Sequence, residues 1–164
     1  MSLLSDIPAL NALMPRWPDY FVIDFEPAMI PCIKPRDTDQ SFFDHIPGFE
    51  NVLASYKEIG HAYFMCHKGK PFCMFGVVPL WNGVGECWLI TDVSMSEHTR
   101  QFHYQARILL DTFMSELQLV RLQITVHSLN DRGYKWAKSV KFNDEGLMKN
   151  FGPDGNDFYM MARN

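Results

Sequence analysis

The stretch from Gly85 to His127 constrains the fold more than any other part of the chain, because it predicts a strand, a helix and a second strand in direct succession. Apolar and β-branched residues over 85–93 predict a buried strand, and alternating polar and apolar residues over Val120–His127 predict another. The intervening segment carries apolar residues at steps of three and four, which is typical of a helix with one buried face. Two strands joined in this way by a helix form a parallel βαβ crossover.

The central helix is predicted to run from about 98 to 119. Ser94 or Ser96 is the predicted N-cap, and Glu97 is expected in the first turn, where the helix dipole favours an acidic group. The stripe expected to face the sheet consists of Phe102, Ala106, Leu109, Leu110, Phe113, Met114 and Leu117. Gln105 falls outside this stripe and is expected to be exposed. A helix N-terminus that follows a strand presents free N–H groups, which bind phosphate-bearing ligands.

Composition excludes several classes of protein. The chain has 164 residues, enough for one domain, and its 47% hydrophobic and 14% aromatic content is typical of a folded protein. The net charge is −4 and Lys and Arg are not clustered, so we expect no nucleic-acid partner. No apolar run reaches the roughly 18 residues of a membrane span, and the N-terminus lacks the pattern of a signal peptide. We therefore expect a cytoplasmic protein, or one in a particle assembled in a cytoplasm.

Histidines and cysteines crowd between His61 and Cys73, but their spacing matches no zinc pattern. Strand alternation would also place Cys66 and His67 on opposite faces of a sheet. We therefore expect free thiols and no metal site.

Weaker signals before the crossover extend it into a larger sheet. Residues 1–27 are predicted to form an N-terminal extension, with a short helix over Leu3–Met14 and a strand over Tyr20–Phe25. Met29–Lys34 is a further strand candidate, and Asp37–Asp39 offers N-caps for the helix that follows it. A second helix over Glu50–Ile59 precedes a hairpin over positions 61–80, whose turn is Lys-Gly-Lys.

After the crossover, Asn130 or Asp131 is expected to cap a helix that reaches Val140. A final hairpin over positions 144–162 is predicted from the Gly-Pro-Asp-Gly turn within it. The sequence therefore predicts one α/β domain, with a mixed central sheet of six or seven strands, helices on both faces and a core over residues 28–164.

This order of elements resembles the GNAT N-acetyltransferase fold over about residues 28–163. Ile33–Asp39 is similar to the opening strand and helix start of that fold. Glu86–Arg107 is similar to its fourth strand and pyrophosphate-binding helix, and Asn130–Phe142 to its last helix and the start of the next strand. The resemblance implies that the two strands of the crossover are parallel neighbours that splay apart.

A closer likeness is to small GNAT-like proteins of short-tailed phages, some of which are internal virion proteins. It is carried by Cys87–Thr91, by Asn130, by the helix end at Trp136–Phe142 and by the hairpin at Gly152–Phe158. This likeness implies a phage-encoded protein, located in host cytoplasm or in a virion.

The resemblance implies an acyl-CoA-dependent N-acyltransferase, with acetyl-CoA as cofactor and a small-molecule or protein amine as acceptor. The backbone that would pair with the pantetheine arm falls on Ile90, Thr91, Asp92 and Val93. Contacts to the pyrophosphate fall on Arg100, Gln101 and His103, and Asn130 would reach the pantetheine arm.

The reaction also requires a base for the acceptor amine. Glu86 and Asp92 are the carboxylates of the central strand, and their even spacing places both on one face of a regular strand. Either carboxylate is a candidate base, and so are three histidines, His98, His103 and His127. Tyr134 is the tyrosine nearest to the position of the family's proton donor.

Three positions depart from the GNAT pattern. His103 and Gln105 replace the two glycines that follow Arg100 in the cofactor loop, where glycine lets the backbone approach the pyrophosphate. Ala137 stands where active relatives have a proton-donating tyrosine, and Lys141 replaces the glycine before Phe142. We therefore expect a degenerate cofactor loop and a dissociation constant for acetyl-CoA above roughly 100 µM.

These departures favour a second hypothesis, a non-catalytic GNAT-fold protein that binds a host or virion partner. Its docking surface would be the apolar N-terminal segment, which contains Leu3, Leu4, Leu10, Leu13, Met14 and Trp17.

Overall fold

Seven strands form one sheet in a computed structural model that describes residues 2–15 and 17–164. The strands are β1 (Tyr20–Asp24), β2 (His61–His67), β3 (Lys70–Trp81), β4 (Val84–Thr91), β5 (Arg121–His127), β6 (Asn143–Met148) and β7 (Phe158–Arg163). Their order across the sheet is β1-β2-β3-β4-β5-β7-β6. All neighbours are antiparallel except β4 and β5, which are parallel as the crossover requires.

Helices cover both faces of this sheet, which confirms the predicted fold class. They are α1 (Ile7–Ala12), α2 (Asp37–His45), α3 (Phe49–Ile59), α4 (Thr99–Glu116) and α5 (Asp131–Ser139). Helices α1, α4 and α5 share one apolar core with the sheet, and α2 and α3 share the other. The predicted α4 stripe supplies five side chains to the first core, Phe102, Ala106, Leu109, Leu110 and Phe113.

The two parallel strands separate soon after they meet, as expected. Val84–Glu86 of β4 pairs with Arg121–Gln123 of β5, and the pairing stops there although both strands continue. Beyond that point, Cys87 and Leu89 pack in the α4 core, and Trp88 packs in the opposite core. The splay therefore opens a gap through the middle of the sheet.

The junction between β4 and α4 differs from the prediction. Strand β4 ends at Thr91, and the next residue, Asp92, caps a 3₁₀ turn over Val93–Glu97. The N-cap of α4 is His98, which makes no capping hydrogen bond with its side chain, so the predicted serine caps are wrong. The extra turn tightens the chain before α4 and moves Glu97 out of its first turn.

Gln105 is buried, with 1% of its surface exposed, so the expectation that it faces solvent is wrong. The N-terminal segment covers this side of α4. The Leu3 N–H donates to Glu116 at 2.9 Å, and the rings of Trp17 and Tyr104 lie 5.7 Å apart. Helical periodicity could not show this second buried side, because the covering segment is distant in sequence.

The N-terminal segment is part of the core, which contradicts its predicted role as an exposed docking surface. Leu4, Leu10 and Met14 are all less than 9% exposed. The Asn11 side chain both donates to and accepts from the backbone of Val22, and the Tyr63 hydroxyl donates to the Leu4 carbonyl at 2.6 Å. These bonds hold α1 against β1, and the 3₁₀ turn over Leu3–Ser5 against β2.

Two local predictions before α2 are wrong. Pro27–Cys32 forms a 3₁₀ helix where a strand was a candidate, and Pro31 within it has no N–H for a strand ladder. The N-cap of α2 is Arg36, which makes no capping bond with its side chain. Asp37 and Asp39 therefore lie inside the helix, and the side chain of Asp39 is free to serve elsewhere.

Candidate functional site

A cavity of about 310 Å³ lies in the splay between β4 and β5. It is bounded by Cys87–Ile90 on one strand and by Ile124–His127 on the other, and both helical layers close over it. Its aromatic lining comes from both cores and includes Phe42, Phe49, Tyr56, Trp88, Phe102, Trp136 and Phe158. Polar side chains also line it, among them Asp39, Glu86, Thr125, His127 and Asn130.

Asp39 reaches this cavity from the first turn of α2. Its Oδ2 accepts one hydrogen bond, from the Thr91 N–H, at a long distance of 3.3 Å. Burial raises the pKa of Asp39 to about 6, although the Thr91 N–H and the nearby Arg36 and His127 lower it in part. A carboxylate with spare acceptor capacity and a pKa near neutrality is suited to proton transfer.

His127 lies at the end of β5 with both ring nitrogens occupied. The Leu129 N–H donates to Nδ1 at 3.1 Å, so the ring proton is on Nε2, which donates to Asp154 Oδ2 at 3.1 Å. The pKa of Asp154 lies well below its usual range, although burial raises it in part. The main cause is the hydrogen bond from the Asn156 N–H, and the side chains of Asn156, His127 and Ser41 also lower this pKa. His127 is therefore a positioned group with both ring nitrogens in hydrogen bonds.

Asp92, one of the two predicted bases, is fully engaged by the backbone. Its Oδ1 accepts from the Lys34 N–H at 2.6 Å and its Oδ2 from the Ser94 N–H at 2.8 Å. Burial alone would raise the pKa of Asp92, but these bonds outweigh it and lower that pKa. Because β4 ends one residue earlier, Asp92 does not share a strand face with Glu86, as the even spacing had suggested.

Glu86, the other predicted base, lines the cavity at the closed end of the splay. Its Oε2 accepts from Gln123 Nε2 at 3.1 Å, at the last paired position of the two strands. Tyr134, the candidate proton donor, donates its hydroxyl to Asp144 at 2.8 Å instead and does not line the cavity. Of the three residues Glu86, Asp92 and Tyr134, the structure therefore places only Glu86 at the cavity, and His127 is the one candidate histidine in its lining.

The backbone donors expected to pair with a pantetheine arm are already in use. The N–H groups of Thr91, Asp92 and Val93 donate to Asp39, Phe72 and Lys34 respectively. The N–H and C=O groups of Thr91 both point away from β3. Backbone groups of every second residue along a strand point to the same side, so the N–H and C=O of Leu89 also point away from β3, toward the splay. Leu89 is therefore the better backbone candidate, in place of Ile90 and Val93.

The N-terminus of α4 retains some features of an anion site. Arg100 is exposed and Gln101 and His103 are half-buried. The N-cap His98 makes no capping hydrogen bond with its side chain, and the first N–H groups of a helix have no acceptor within the helix itself. Gln105 is buried inside the protein, where its Oε1 has no partner among the described residues. It therefore does not project into this surface as a crowding side chain.

Asn130 caps α5, as predicted, and also lines the cavity. Its Oδ1 accepts from the Gly133 N–H at 2.9 Å. A Cβ atom at residue 133 would lie 2.4 Å from Asn130 Nδ2, so this cap requires glycine. The cap therefore fixes the position of Asn130 at the mouth of the splay.

Sequence reasoning missed Asp39 and Asp154 as site residues. Asp39 carries the ordinary signal of a helix start, and Asp154 carries that of a turn. Only the fold brings them together with Thr91 and His127, so no local pattern could have identified them.

Over residues 2–15 and 17–164, no group of three or more His, Cys, Asp or Glu side chains is arranged to hold a metal ion. In the same ranges, none of the helices combines the length and the apolar character that crossing a bilayer requires.

The fold is that of GNAT acetyltransferases, since solved structures of that class superimpose on nearly the whole chain. Ribosomal-protein-S5-alanine acetyltransferase from Vibrio fischeri matches with a TM-score of 0.65 at 12% identity, over 91% of this chain and 94% of its own. No family model matches the sequence, and no curated protein does.

Two further structures were solved with ligands. The ribosomal L7/L12 α-N-protein acetyltransferase RimL, in complex with coenzyme A, has a TM-score of 0.67 at 15% identity, over 92% of this chain and 96% of its own. A GNAT acetyltransferase from Elizabethkingia anophelis with acetyl-CoA bound has a TM-score of 0.61 at 12% identity, over 90% of this chain and 99% of its own. At these identities, the likeness establishes the fold.

Proposed function

We propose that this protein is an acyl-CoA-dependent N-acyltransferase, with acetyl-CoA as the acyl donor and a primary amine as the acceptor. The observation that carries the proposal is the cavity in the β4–β5 splay, which has polar side chains at its wall and the fold of acetyltransferases around it. Fold alone does not establish activity, so the proposal depends on this site.

The residues at the splay suit the arm of an acyl-CoA. The indole N–H groups of Trp88 and Trp136 are buried at the cavity and have no acceptor among the described residues. Amide and carbonyl oxygens of a pantetheine arm would satisfy such donors, and the Leu89 backbone edge would pair with the arm. Asn130 would contribute at the mouth of the splay.

The pyrophosphate would lie at the N-terminus of α4. Arg100 would supply positive charge, and the free N–H groups near Gln101 would supply hydrogen bonds. His103 would stand in place of the first loop glycine, so we propose that binding at this end is weak, with a dissociation constant above roughly 100 µM.

The acceptor amine would enter from the face covered by α2 and α3, where Asp39 and Glu86 reach the cavity. The surrounding wall is aromatic, with Phe42, Phe49 and Phe158. An amine carried on an apolar body fits such a wall. Two structural neighbours act on ribosomal proteins by their names, so peptide α-amines belong in the acceptor panel.

The test combines calorimetry with acetyl-CoA and a thiol-release assay against a panel of small amines and peptide N-termini. We expect weak heats that saturate, and thiol release that depends on one class of amine. A Trp88→Phe variant keeps the ring and removes one orphan donor, so it should bind acetyl-CoA less tightly. Absence of both binding and thiol release at millimolar acetyl-CoA would overturn the proposal.

A second candidate is a non-catalytic GNAT-fold protein, of phage origin, that acts on a virion or host protein in the host cytoplasm. The substitution of both loop glycines by His103 and Gln105 favours it, and the phage likeness rests on the sequence segments alone. Calorimetry separates the two, because this candidate requires no binding of acetyl-CoA by the wild-type protein.

A further inference from the structure

We propose that Asp39 accepts the proton of the attacking amine, and that the Thr91 N–H is the donor that both holds Asp39 at rest and receives the thioester carbonyl during reaction. This inference rests on the proposed function. It assigns the proton transfer of the acyltransferase reaction to a residue of α2, outside the central strand.

Asp39 differs from the other carboxylates near the cavity in its hydrogen bonds and in its position. It accepts a single hydrogen bond from the described residues, at 3.3 Å, while Asp92 accepts two at 2.6 and 2.8 Å. Glu86 also accepts one hydrogen bond, from Gln123 at 3.1 Å, but it lies at the closed end of the splay. His127 has no free nitrogen lone pair, because the Leu129 N–H occupies Nδ1. Asp39 is thus the cavity group with unused acceptor capacity at the open end.

The Thr91 N–H is placed to serve two partners in turn. It is the last N–H of β4 on the edge that faces the splay, and its present partner is bound at a long distance. A carbonyl oxygen in the splay would compete for this donor, because a hydrogen bond at 3.3 Å is weak. When the carbonyl takes its place, the Asp39 carboxylate is released beside the reacting atoms.

The reaction then balances without any other reactant. The nitrogen of the neutral amine forms a bond to the carbonyl carbon, and the Thr91 N–H stabilises the negative charge that develops on the carbonyl oxygen. The nitrogen gives one proton to Asp39. The carbon–sulphur bond breaks with its electron pair on sulphur, and the resulting thiolate receives that proton from Asp39 through water.

The charged and titratable groups around Asp39 come from three elements. Arg36 precedes it at the start of α2, His127 faces it from β5, and Asp154 lies behind His127 in the turn before β7. Burial raises the pKa of Asp39 to about 6 among these neighbours, so the carboxylate is ionised at neutral pH and close to the optimum for a general base.

The experiment compares Asp39→Asn with Asp37→Asn, which removes an exposed carboxylate from the same helix. Asparagine keeps an oxygen for the Thr91 N–H but cannot take a proton. We expect Asp39→Asn to lower kcat/KM by about 100-fold or more and to remove the rise of kcat/KM with pH near 6. Asp37→Asn should keep the wild-type rate and profile.

A second readout needs no acyl donor. Carbon-13 NMR of aspartate carboxyls in the free protein should show one resonance that titrates near pH 6, and that resonance should be missing in Asp39→Asn. Wild-type rates in Asp39→Asn with an unchanged pH profile would overturn this assignment while leaving the acyltransferase proposal intact. A wild-type protein that neither binds acetyl-CoA nor releases thiol would instead overturn the proposed function.

Discussion

The two ends of the β4–β5 splay have different chemistry. The cavity end has polar groups held by hydrogen bonds: Asp39 and Thr91 are half-buried and share a long bond, and His127 is buried with both ring nitrogens bonded. The proposed phosphate end, at the N-terminus of α4, has an exposed Arg100, and His103 and Gln105 stand where the GNAT loop has glycines. In the proposed function, proton transfer and phosphate binding would therefore depend on separate groups of residues. Each end therefore needs its own test.

Asp39 and Asp92 lie close together but differ in the direction of their pKa shifts. Both lie next to the end of β4, yet the pKa of Asp39 is raised by burial and that of Asp92 is lowered by two backbone hydrogen bonds that outweigh its burial. The balance between desolvation and nearby donors decides the direction, because the Ser94 side chain and Lys70 also lower the pKa of Asp92. A half-buried carboxylate with one long bond is suited to proton transfer, and a buried one with two short bonds is suited to a structural role.

The largest expected effect concerns the helix that both ends share. Leu110 of α4 is buried and lines the cavity, so Leu110→Ala should lower the free energy of unfolding by about 2–5 kcal/mol. Leu129→Ala is the control, because that side chain is 71% exposed and its removal should change stability by less than about 0.5 kcal/mol. Equal losses in denaturant melts would show that α4 does not close the cavity.

The next-largest effect concerns the ionisation of Asp39, which should change the free energy of unfolding with pH. The pKa of Asp39 is higher in the folded protein, about 6, than in the unfolded chain, roughly 4, so the folded state binds more protons between these values. Stability should therefore fall as pH rises from about 4 to 6. Asp39→Asn should remove this fall. At pH 8 the free energy of unfolding of this variant should exceed that of the wild type by about 1–2 kcal/mol, after allowance for solvent screening.

Thermal melts at several pH values measure this difference. The advantage of Asp39→Asn should disappear near pH 3, which is below both pKa values, so that the carboxyl is protonated in both states. The same advantage at pH 3 and pH 8 would mean that the pKa of Asp39 is not raised by folding, and it would remove the contrast with Asp92.

A smaller effect concerns the side of α4 that faces the N-terminal segment. Gln105 is buried with an unsatisfied Oε1, and a buried polar group without a partner is destabilising. Gln105→Met has a similar shape and should raise the free energy of unfolding by about 1 kcal/mol. Gln105→Ala leaves a space and should lower it. A loss of stability in the methionine variant would indicate that Oε1 has a partner, such as an ordered water.

The smallest effect tests the phosphate end directly. His103→Gly should tighten acetyl-CoA binding about two- to fivefold, on the scale of a helix-terminus interaction of about 0.3–1 kcal/mol. The cost is about 1 kcal/mol of helix stability. Ser115→Gly, in the last turn of α4, is the matched control and should destabilise the helix without any change in affinity. Only His103 is replaced, because glycine at the buried Gln105 would also empty a core position.

Low-micromolar binding of acetyl-CoA by the wild-type protein would break the comparison, since it would show that the phosphate end works without glycines. Unchanged weak binding in His103→Gly would place the obstacle elsewhere, for example in the 3₁₀ turn over Val93–Glu97. Both outcomes come from one calorimetric titration series.

Much of the fold was predictable from local patterns. The period of the α4 stripe, the β-branched run of β5 and the turn residues of the two hairpins report backbone geometry that neighbouring residues impose on each other. The parallel pairing of β4 and β5 followed from the helix between them. The short 3₁₀ segments over Pro27–Cys32 and Val93–Glu97 were missed, because prolines and small polar residues suit strand ends, helix caps and tight turns alike.

Local patterns were sufficient to predict the sheet, its helical layers and the crossover, since these patterns involve residues close together in the chain. The raised pKa of Asp39 and the lowered pKa of Asp92 depend instead on contacts between distant segments. Asp39 meets Thr91 across 52 positions, and Asp154 meets His127 across 27. The pKa of a carboxylate depends on its burial and on the donors around it, and those neighbours become contacts only when the sheet assembles.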